Sequence, residues 1–361
     1  MANSKFNNGK ITGVVTVVPQ DVRCIDDEVH LYGGNEKQIA RIKRAIGLDK
    51  RHVTDESITT LDLCVDAAEK LISGIDIDKK DIDGLIFVTQ TPDYLQPSNA
   101  AIAHGVLGLS TDAASFDIGL GCSGYVYGLW MAHMMVASQT CKRVLLLAGD
   151  TLSKCVNPRD RATAPLFGDA GTATLIEYTE ADVESYFSLH TNGAGYQHIL
   201  QPAGGFRKPS SLETAVEKID EEGNYRSEND LAMNGGEVFN FSIKTEPPAI
   251  KEILEFARQD INDVDYVVFH QANKYIITNI AKRLKLPMDK VPCETVSKYG
   301  NQSSASIPCT INDAIGRNLS ISDKRLILSG FGVGLSWASA IVNLSGIYSP
   351  PVLIYQPKEI K

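Results

Sequence analysis

The stretch Asp117-Ile-Gly-Leu-Gly-Cys122-Ser-Gly124 joins a strand-like run to a helix-like one, with a cysteine at the junction. Gly119 and Gly121 allow a tight turn, and Ser123-Gly124 opens a strongly apolar segment. A thiol placed there faces the positive end of the helix, which favours the thiolate and lowers its pKa. The competing reading is packing, since cysteine is among the most buried residue types. The surroundings of Cys122 have to decide between the two.

Outward from this junction, strands and helices alternate. Residues 84–89 read as a buried strand, 97–107 as a helix and 114–118 as the strand leading to Cys122. The helix over 123–138 sets Val126, Leu129, Trp130 and Met134 at helical spacing. Its remaining positions are mostly small or apolar, so it is expected to be buried all round. Residues 143–148 and 171–176 supply two further strands.

The order then repeats. Residues 265–269 read as a strand, 274–284 as a helix and 291–296 as the next strand. A turn at Tyr299-Gly-Asn-Gln302 enters a helix over 303–316, and strands at 325–329 and 337–344 close the set. Val144-Leu-Leu-Leu-Ala-Gly149 matches Leu326-Ile-Leu-Ser-Gly330, and Gly171-Thr-Ala-Thr-Leu matches Ser336-Trp-Ala-Ser-Ala. Such a duplication implies two similar α/β units packed together, residues 1–180 and 181–361. The polar stretch at about 204–234 breaks the pattern and reads as a surface insertion or lid in the second unit.

Composition bounds the possibilities. The 361 residues are 43% hydrophobic and 22% charged, enough for a large core. A net charge of −9 gives nucleic-acid binding no global support. The seven cysteines are scattered, odd in number and without a C-x-x-C pair, which argues against a disulfide framework or a zinc site. A reducing cytoplasm is the expected compartment. The N-terminus is too polar for a signal peptide, and the apolar run 126–137 is short and interrupted by His133, so no membrane span is expected.

A thiolate nucleophile needs partners and a place for developing negative charge. If a pseudo-two-fold axis relates the units, Asn301 lies where Cys122 lies in the other unit, and His270 ends the strand before it. Of the seven histidines, only His270 ends a buried strand and enters a polar run, His270-Gln-Ala-Asn273. Asn301 could equally cap a helix. Gly330-Phe-Gly-Val-Gly-Leu-Ser336 reads either as a flexible turn or as a loop whose backbone N–H groups form an oxyanion hole. Phe167-Gly-Asp-Ala-Gly171 has the same ambiguity, with Asp169 favoured as a brace of the core.

These motifs in this order resemble the β-ketoacyl-[acyl-carrier-protein] synthase III family of the thiolase superfamily, from about residue 10 to about 346. The resemblance implies a thiolase-like duplicated αβαβα five-layer fold and a homodimer. It implies transfer of an acyl group from a primer thioester, with acyl-CoA the expected donor, to Cys122. A decarboxylative Claisen condensation with malonyl-acyl carrier protein would follow. Backbone N–H groups of Cys122 and Val333 would form the oxyanion hole, and His270 with Asn301 would hold the malonyl thioester carbonyl and stabilise its enolate. Coenzyme A and phosphopantetheine thioesters would be substrates, with no bound cofactor and no metal.

The resemblance also assigns Arg161, Asn273 and Phe239 to substrate and coenzyme A binding. Lys274, Lys282, Arg283 and Lys285 make a basic cluster beside His270 that reads either as a solvated helix face or as a rim for an acidic carrier protein. Three positions depart from the family pattern. Arg41 stands where a Trp is expected, Ala45 where an Arg is, and Gln96 where a Phe often precedes Pro-Ser. The insertion resembles specialised relatives of polysaccharide or secondary metabolism. An acyltransferase of the same fold, passing the acyl group to oxygen or nitrogen, therefore remains an alternative. A degradative thiolase does not fit, because the Gly330 loop lacks the second cysteine.

Overall fold

Strands that are apolar at every position must be covered on both faces, and here the alternating residues of each strand enter different cores. Ile86, Val88, Val144 and Leu146 face one cluster, while Leu85, Phe87, Leu145 and Leu147 face another. The same holds in the second half, where Leu326 and Leu328 point one way and Ile327 the other. A computed structural model describes residues 2–31, 34, 36–316 and 322–357.

The first sheet has six strands, in the order Leu353–Ile354, Gly9–Val18, Ala170–Tyr178, Arg143–Asp150, Gly84–Val88, Ala114–Ile118. The second has five, in the order Ala2–Phe6, Ser185–Thr191, Ser336–Leu344, Lys324–Gly332, Tyr266–Phe269. Gly84–Val88 runs parallel to Arg143–Asp150, as Tyr266–Phe269 does to Lys324–Gly332. Each of these second strands pairs antiparallel with the next in the chain. The duplication is thus a repeat of strand order and direction. The terminal strands cross over: Ala2–Phe6 pairs with Ser185–Thr191, and Leu353–Ile354 with Gly9–Val18.

Between the sheets lie the Gly124–Ala137 helix and the helical run 303–316, whose inner faces share one core with both sheets. No residue of Gly124–Ala137 is exposed, in keeping with its mostly small and apolar sequence. The outer face of the first sheet is covered by Thr60–Ile75 and Asn99–Leu107, that of the second by Gly235–Ala257 and Lys274–Leu284. The 303–316 run tightens and then widens: a 3-10 turn at Ser303–Ala305, an α segment at Ser306–Thr310 and a π segment at Ile311–Ile315. Among the described residues, no helix is long and apolar enough to cross a membrane.

The strand expected at 291–296 does not form. Residues 291–294 are irregular and lead into the short helix Thr295–Tyr299. Pro292 has no N–H to give a ladder, and its carbonyl accepts instead from Gln271 Nε2 at 3.2 Å. The second sheet therefore ends at Tyr266–Phe269, where the first continues to Ala114–Ile118.

The insertion also packs differently from a free surface lobe. Its short hairpin, Lys218–Ile219 with Tyr225–Arg226, lies against residues 157–161 of the first half. Leu231 and Met233 at its end join Leu152, Val156, Ala164, Leu166 and Phe167 in a small core.

The halves are stitched by a backbone bridge between Phe167 and Asn301. Asn301 N–H donates to the Leu166 carbonyl at 2.8 Å and Gly168 N–H to the Asn301 carbonyl at 3.1 Å. A Cβ on Gly168 would sit 2.0 Å from the Tyr299 carbonyl oxygen. Gly168→Ala should therefore cost about 3 kcal/mol or more, read as a lower midpoint in urea unfolding. Gly193→Ala, whose Cβ would meet nothing within 4 Å, is the control and should shift the midpoint little.

Candidate active site

Cys122 follows the Ala114–Ile118 strand and sits one residue before Ser123, which precedes the Gly124–Ala137 helix. The turn that aims it closes through Gly124 N–H to the Gly121 carbonyl at 2.7 Å. The Gly330 loop runs directly beside it: a Cβ at Gly332 would lie 2.7 Å from Cys122 Cβ and 2.8 Å from Sγ. Only glycine permits that approach, which brings the Val333 N–H to the sulfur.

His270 directly follows Tyr266–Phe269, its N–H donating to the Ser329 carbonyl at 2.7 Å. The ring is buried and stands edge-on to Phe331, centroids 5.6 Å apart. Nδ1 lies 2.7 Å from Ser306 Oγ, which accepts the Gln271 N–H at 3.3 Å. A hydroxyl that accepts from the backbone turns its own proton outward, so we assign Nδ1 as acceptor and Nε2 as the protonated nitrogen. Burial pushes the imidazole pKa down to about 3, opposed by a hydrogen bond with the Ser303 backbone. Above that pH the ring is neutral.

Asn301 is oriented by its successor: Ser303 N–H donates to Asn301 Oδ1 at 2.9 Å. With its oxygen occupied, the side chain keeps Nδ2 as a donor. Ser303 itself adopts φ 49° and lies 4.0 Å from Cys122 Sγ.

Cys122, His270, Asn301 and Val333 line one pocket of about 300 Å³, which also includes Asn273. Its remaining walls are largely apolar, from Leu152, Leu166, Leu231, Met233 and Val238. Among the described residues, no Lys or Arg lines it. The arrangement offers a sulfur nucleophile, two neutral side-chain donors and backbone N–H groups in a partly dehydrated cleft, which suits acyl chemistry.

One expectation is reversed. The helix terminus does not lower the Cys122 pKa; burial pushes it up to about 11, and the nearby Asp150 carboxylate adds to the rise. Hydrogen bonds from Val333 N–H, Ser303 and the residue's own N–H oppose this only in part. The residues assigned to coenzyme A also separate. Asn273 lines the pocket, its Oδ1 accepting the Ile276 N–H at 2.8 Å and capping Lys274–Leu284. Arg161 and Phe239 are not among the lining residues. Arg161 donates through its guanidinium to the Glu222 carbonyl, and Phe239 stacks on Tyr275 at 5.4 Å.

Of the basic rim, Lys282 and Lys285 are exposed, Lys274 pairs with Glu294 at 2.6 Å, and Arg283 reaches the Ile243 carbonyl at 3.3 Å. Arg41 is exposed; the side chain of Ala45 lies outside the described residues.

Three contributors were not singled out from sequence. Asp150, at the end of a buried strand, accepts from Gln90 N–H at 2.8 Å and from Ser304 N–H and Oγ at 3.2 and 2.8 Å. Its position after an unbroken apolar run was the available signal. Ser306 was visible only as one of several serines, and Cys155, a second thiol in the pocket lining, carried no motif. Asp169 braces the core as expected, accepting from Thr54 and Ser153.

The fold and pocket define a thiolase-like condensing enzyme. Residues 116–195 match the family model for 3-oxoacyl-[acyl-carrier-protein (ACP)] synthase III, and 254–344 match that for its C-terminal region. A Campylobacter jejuni protein, provisionally named 3-oxoacyl-[acyl-carrier-protein] synthase 3, is 38% identical over 98% of both chains. A β-ketoacyl-[acyl-carrier-protein] synthase III of Natranaerobius thermophilus is 35% identical, over 93% of this chain and 99% of its own. The crystal structure of a Burkholderia xenovorans 3-oxoacyl-(acyl-carrier protein) synthase superposes with a TM-score of 0.91 at 36% identity, covering 98% of each chain. The chain belongs to the 3-oxoacyl-[acyl-carrier-protein] synthase III family and is an acyltransferase of the condensing type.

Because burial and Asp150 raise the Cys122 pKa, the thiol is protonated through neutral pH. Iodoacetamide labelling of Cys122, followed by intact-protein mass spectrometry, should accelerate about tenfold per pH unit from 7 to 9.5. A plateau near pH 7 would show instead that the helix terminus dominates.

Proposed function

We propose that this enzyme carries the acyl group on Cys122 and extends it by decarboxylative condensation with a malonyl-carrier protein. The supporting observation is convergence. Cys122, from the first half, shares one cleft with His270 and Asn301 from the second, and Asn301 presents its amide nitrogen because Ser303 occupies its oxygen.

In the first half-reaction the Cys122 sulfur attacks the carbonyl of a primer thioester. The N–H groups of Cys122 and Val333 stabilise the tetrahedral oxyanion. The pantetheine sulfur leaves with the thiol proton. In the second, the malonyl thioester enters along the same cleft, with Asn273 beside its pantetheine arm. His270 Nε2–H and Asn301 Nδ2–H donate to the thioester carbonyl. As carbon dioxide leaves, the electron pair of the broken bond becomes an enolate held by those donors. Its carbon attacks the acyl-cysteine carbonyl, the cysteine sulfur departs and takes a proton from water to restore the thiol, and a β-ketoacyl-carrier product is released. Neither half-reaction needs an electron acceptor.

We place the enzyme in the cytoplasm as a homodimer, with the exposed Tyr94 and Leu95 suited to the contact between copies. The halves 1–180 and 181–361 are taken as its two thiolase-like units, with only the terminal strands exchanged.

The two half-reactions separate the roles. Cys122→Ala should abolish acyl-enzyme formation seen by intact-protein mass spectrometry. His270→Ala and Asn301→Ala should each retain acylation but lose roughly 100- to 1000-fold in carbon dioxide release from malonyl-carrier protein. Normal acylation of the wild type, with no carbon dioxide released, would instead leave an acyltransferase to oxygen or nitrogen.

A further inference from the structure

The Cys122 sulfur has to lose a proton as it attacks, yet burial and Asp150 keep that proton in place at rest. A base within reach of the sulfur resolves the conflict. His270 is poorly suited to the task, because its Nδ1 faces Ser306 and burial holds its pKa near 3.

Asp150 is a buried carboxylate with donors on both oxygens. Oδ1 accepts from Gln90 N–H at 2.8 Å and from Thr89 Oγ1 at 3.2 Å. Oδ2 accepts from Ser304 N–H at 3.2 Å and from Ser304 Oγ at 2.8 Å. Burial raises its pKa above the usual carboxylate range and its hydrogen bonds oppose the rise, so it is ionised but more basic than an exposed Asp. Its charge reaches three thiols, Cys64, Cys122 and Cys155, and raises the pKa of each. Cys64 also feels Asp93, and Cys155 feels Asp169, Asp230 and Lys154. Charge acting through space in this way only hinders ionisation.

At Cys122 a hydroxyl stands between the thiol and the carboxylate. Ser303 Oγ lies 4.0 Å from Cys122 Sγ and also hydrogen-bonds the Asp150 carboxylate. A hydroxyl can accept one proton while giving up its own, so this side chain can pass a proton between its two neighbours. The contact to sulfur is long, as catalytic hydrogen bonds commonly are before substrate is seated. Ser303 is also the one residue of its loop in the left-handed region, at φ 49°, a conformation costly for a residue with a Cβ. It is pinned there from both sides. Its N–H is given to Asn301 Oδ1 at 2.9 Å, and the next residue, Ser304, is fastened to Asp150.

We propose that Ser303 relays the thiol proton of Cys122 to Asp150 during acylation, with Ser303 the catalytic residue and Asp150 acting through it. This rests on the reading of Cys122 as the acyl acceptor. As the S–H bond breaks, the sulfur electron pair forms the bond to the thioester carbonyl carbon, and the carbonyl π pair moves onto oxygen. The thiol proton goes to Ser303 Oγ, and the Ser303 proton to Asp150. When the oxyanion collapses, the carbon–sulfur bond to pantetheine breaks. The departing sulfur takes a proton from Ser303 Oγ, which recovers its own from Asp150. The relay ends as it began, and no oxidant, reductant or co-reactant is consumed.

The test compares two reactions of the same sulfur. Full-length enzyme is acylated with acetyl, butyryl and octanoyl groups, each supplied on coenzyme A and on a phosphopantetheinylated acyl carrier protein. Mass gain at Cys122 is timed by intact-protein mass spectrometry for the fastest donor. Iodoacetamide labelling, which draws on the ionised sulfur alone, is timed in parallel. Wild-type acylation should change by less than about threefold between pH 6.5 and 8.5, because the base travels with the site, while labelling climbs about tenfold per unit. Ser303→Ala and Ser303→Gly should each acylate about 100-fold more slowly at pH 7 and acquire the tenfold slope. Both keep the N–H that holds Asn301, and glycine suits φ 49°, so a loss shared by the two is a loss of the hydroxyl. Asp150→Asn should label faster, since the charge opposing ionisation is gone, yet acylate more slowly; a disturbed fold does not move the two in opposite directions. Wild-type acylation that climbs with pH as labelling does, or Ser303 variants acylated within about threefold of wild type, overturns the relay and leaves the acyl-cysteine intact. Failure of every thioester on a wild type that iodoacetamide labels overturns the acyl-cysteine reading itself.

Discussion

The site depends on one cross-connection between the halves. The Asn301 backbone bridges to Leu166 and Gly168, while the Asp150 carboxylate, at the end of a first-sheet strand, holds the N–H and hydroxyl of Ser304 three residues further on. Asp150 is fully buried, which costs several kcal/mol unless hydrogen bonds compensate. Those bonds come from the loop after Gly84–Val88 and from the Asn301 loop, so the buried charge is stable only when both halves are assembled around it. Loss of that carboxylate would leave Gln90, Ser304 and the Asn301 loop without their common acceptor. The clamp has an electrostatic consequence for its neighbour: the carboxylate that seats the Asn301 loop also raises the pKa of Cys122.

Much of this architecture was legible because it rests on local signals. Uninterrupted apolar runs announced the central strands, and the repeat of strand order followed from two short internal matches. The convergence of Cys122, His270 and Asn301 was a consequence of that repeat and needed no distances. What was not legible belongs to tertiary context. An apolar sequence at 291–296 reads as a strand, yet Pro292 and the bond from Gln271 to its carbonyl keep the chain off the sheet. The Cys122 pKa was misjudged because a helix terminus is a local feature, whereas desolvation and Asp150 act through the folded interior. The contacts that Arg161 makes in the fold were not legible for a similar reason. Its partners, Glu222 and Asn224, are some 60 residues away and belong to the insertion.

Among the described residues the pocket lining is without Lys or Arg, which bears on how condensation is driven. In the proposed reaction, negative charge begins on the malonyl carboxylate and moves to the thioester oxygen as carbon dioxide departs. A cation near the carboxylate would stabilise the starting state and slow the step, because only interactions stronger in the transition state accelerate it. His270 avoids this by remaining neutral: burial beside Phe331 holds its pKa near 3, and Ser306 directs its proton to Nε2. Asn301 contributes a second neutral dipole, fixed by Ser303. Both are aimed donors that gain strength only as charge arrives on the oxygen they face. Burial and the nearby Asp150 carboxylate leave the Cys122 thiol protonated at rest, so the sulfur must become nucleophilic as the thioester carbonyl enters the N–H groups of Cys122 and Val333. The burial that keeps His270 neutral for decarboxylation thus also makes the pocket a poor place to store a thiolate.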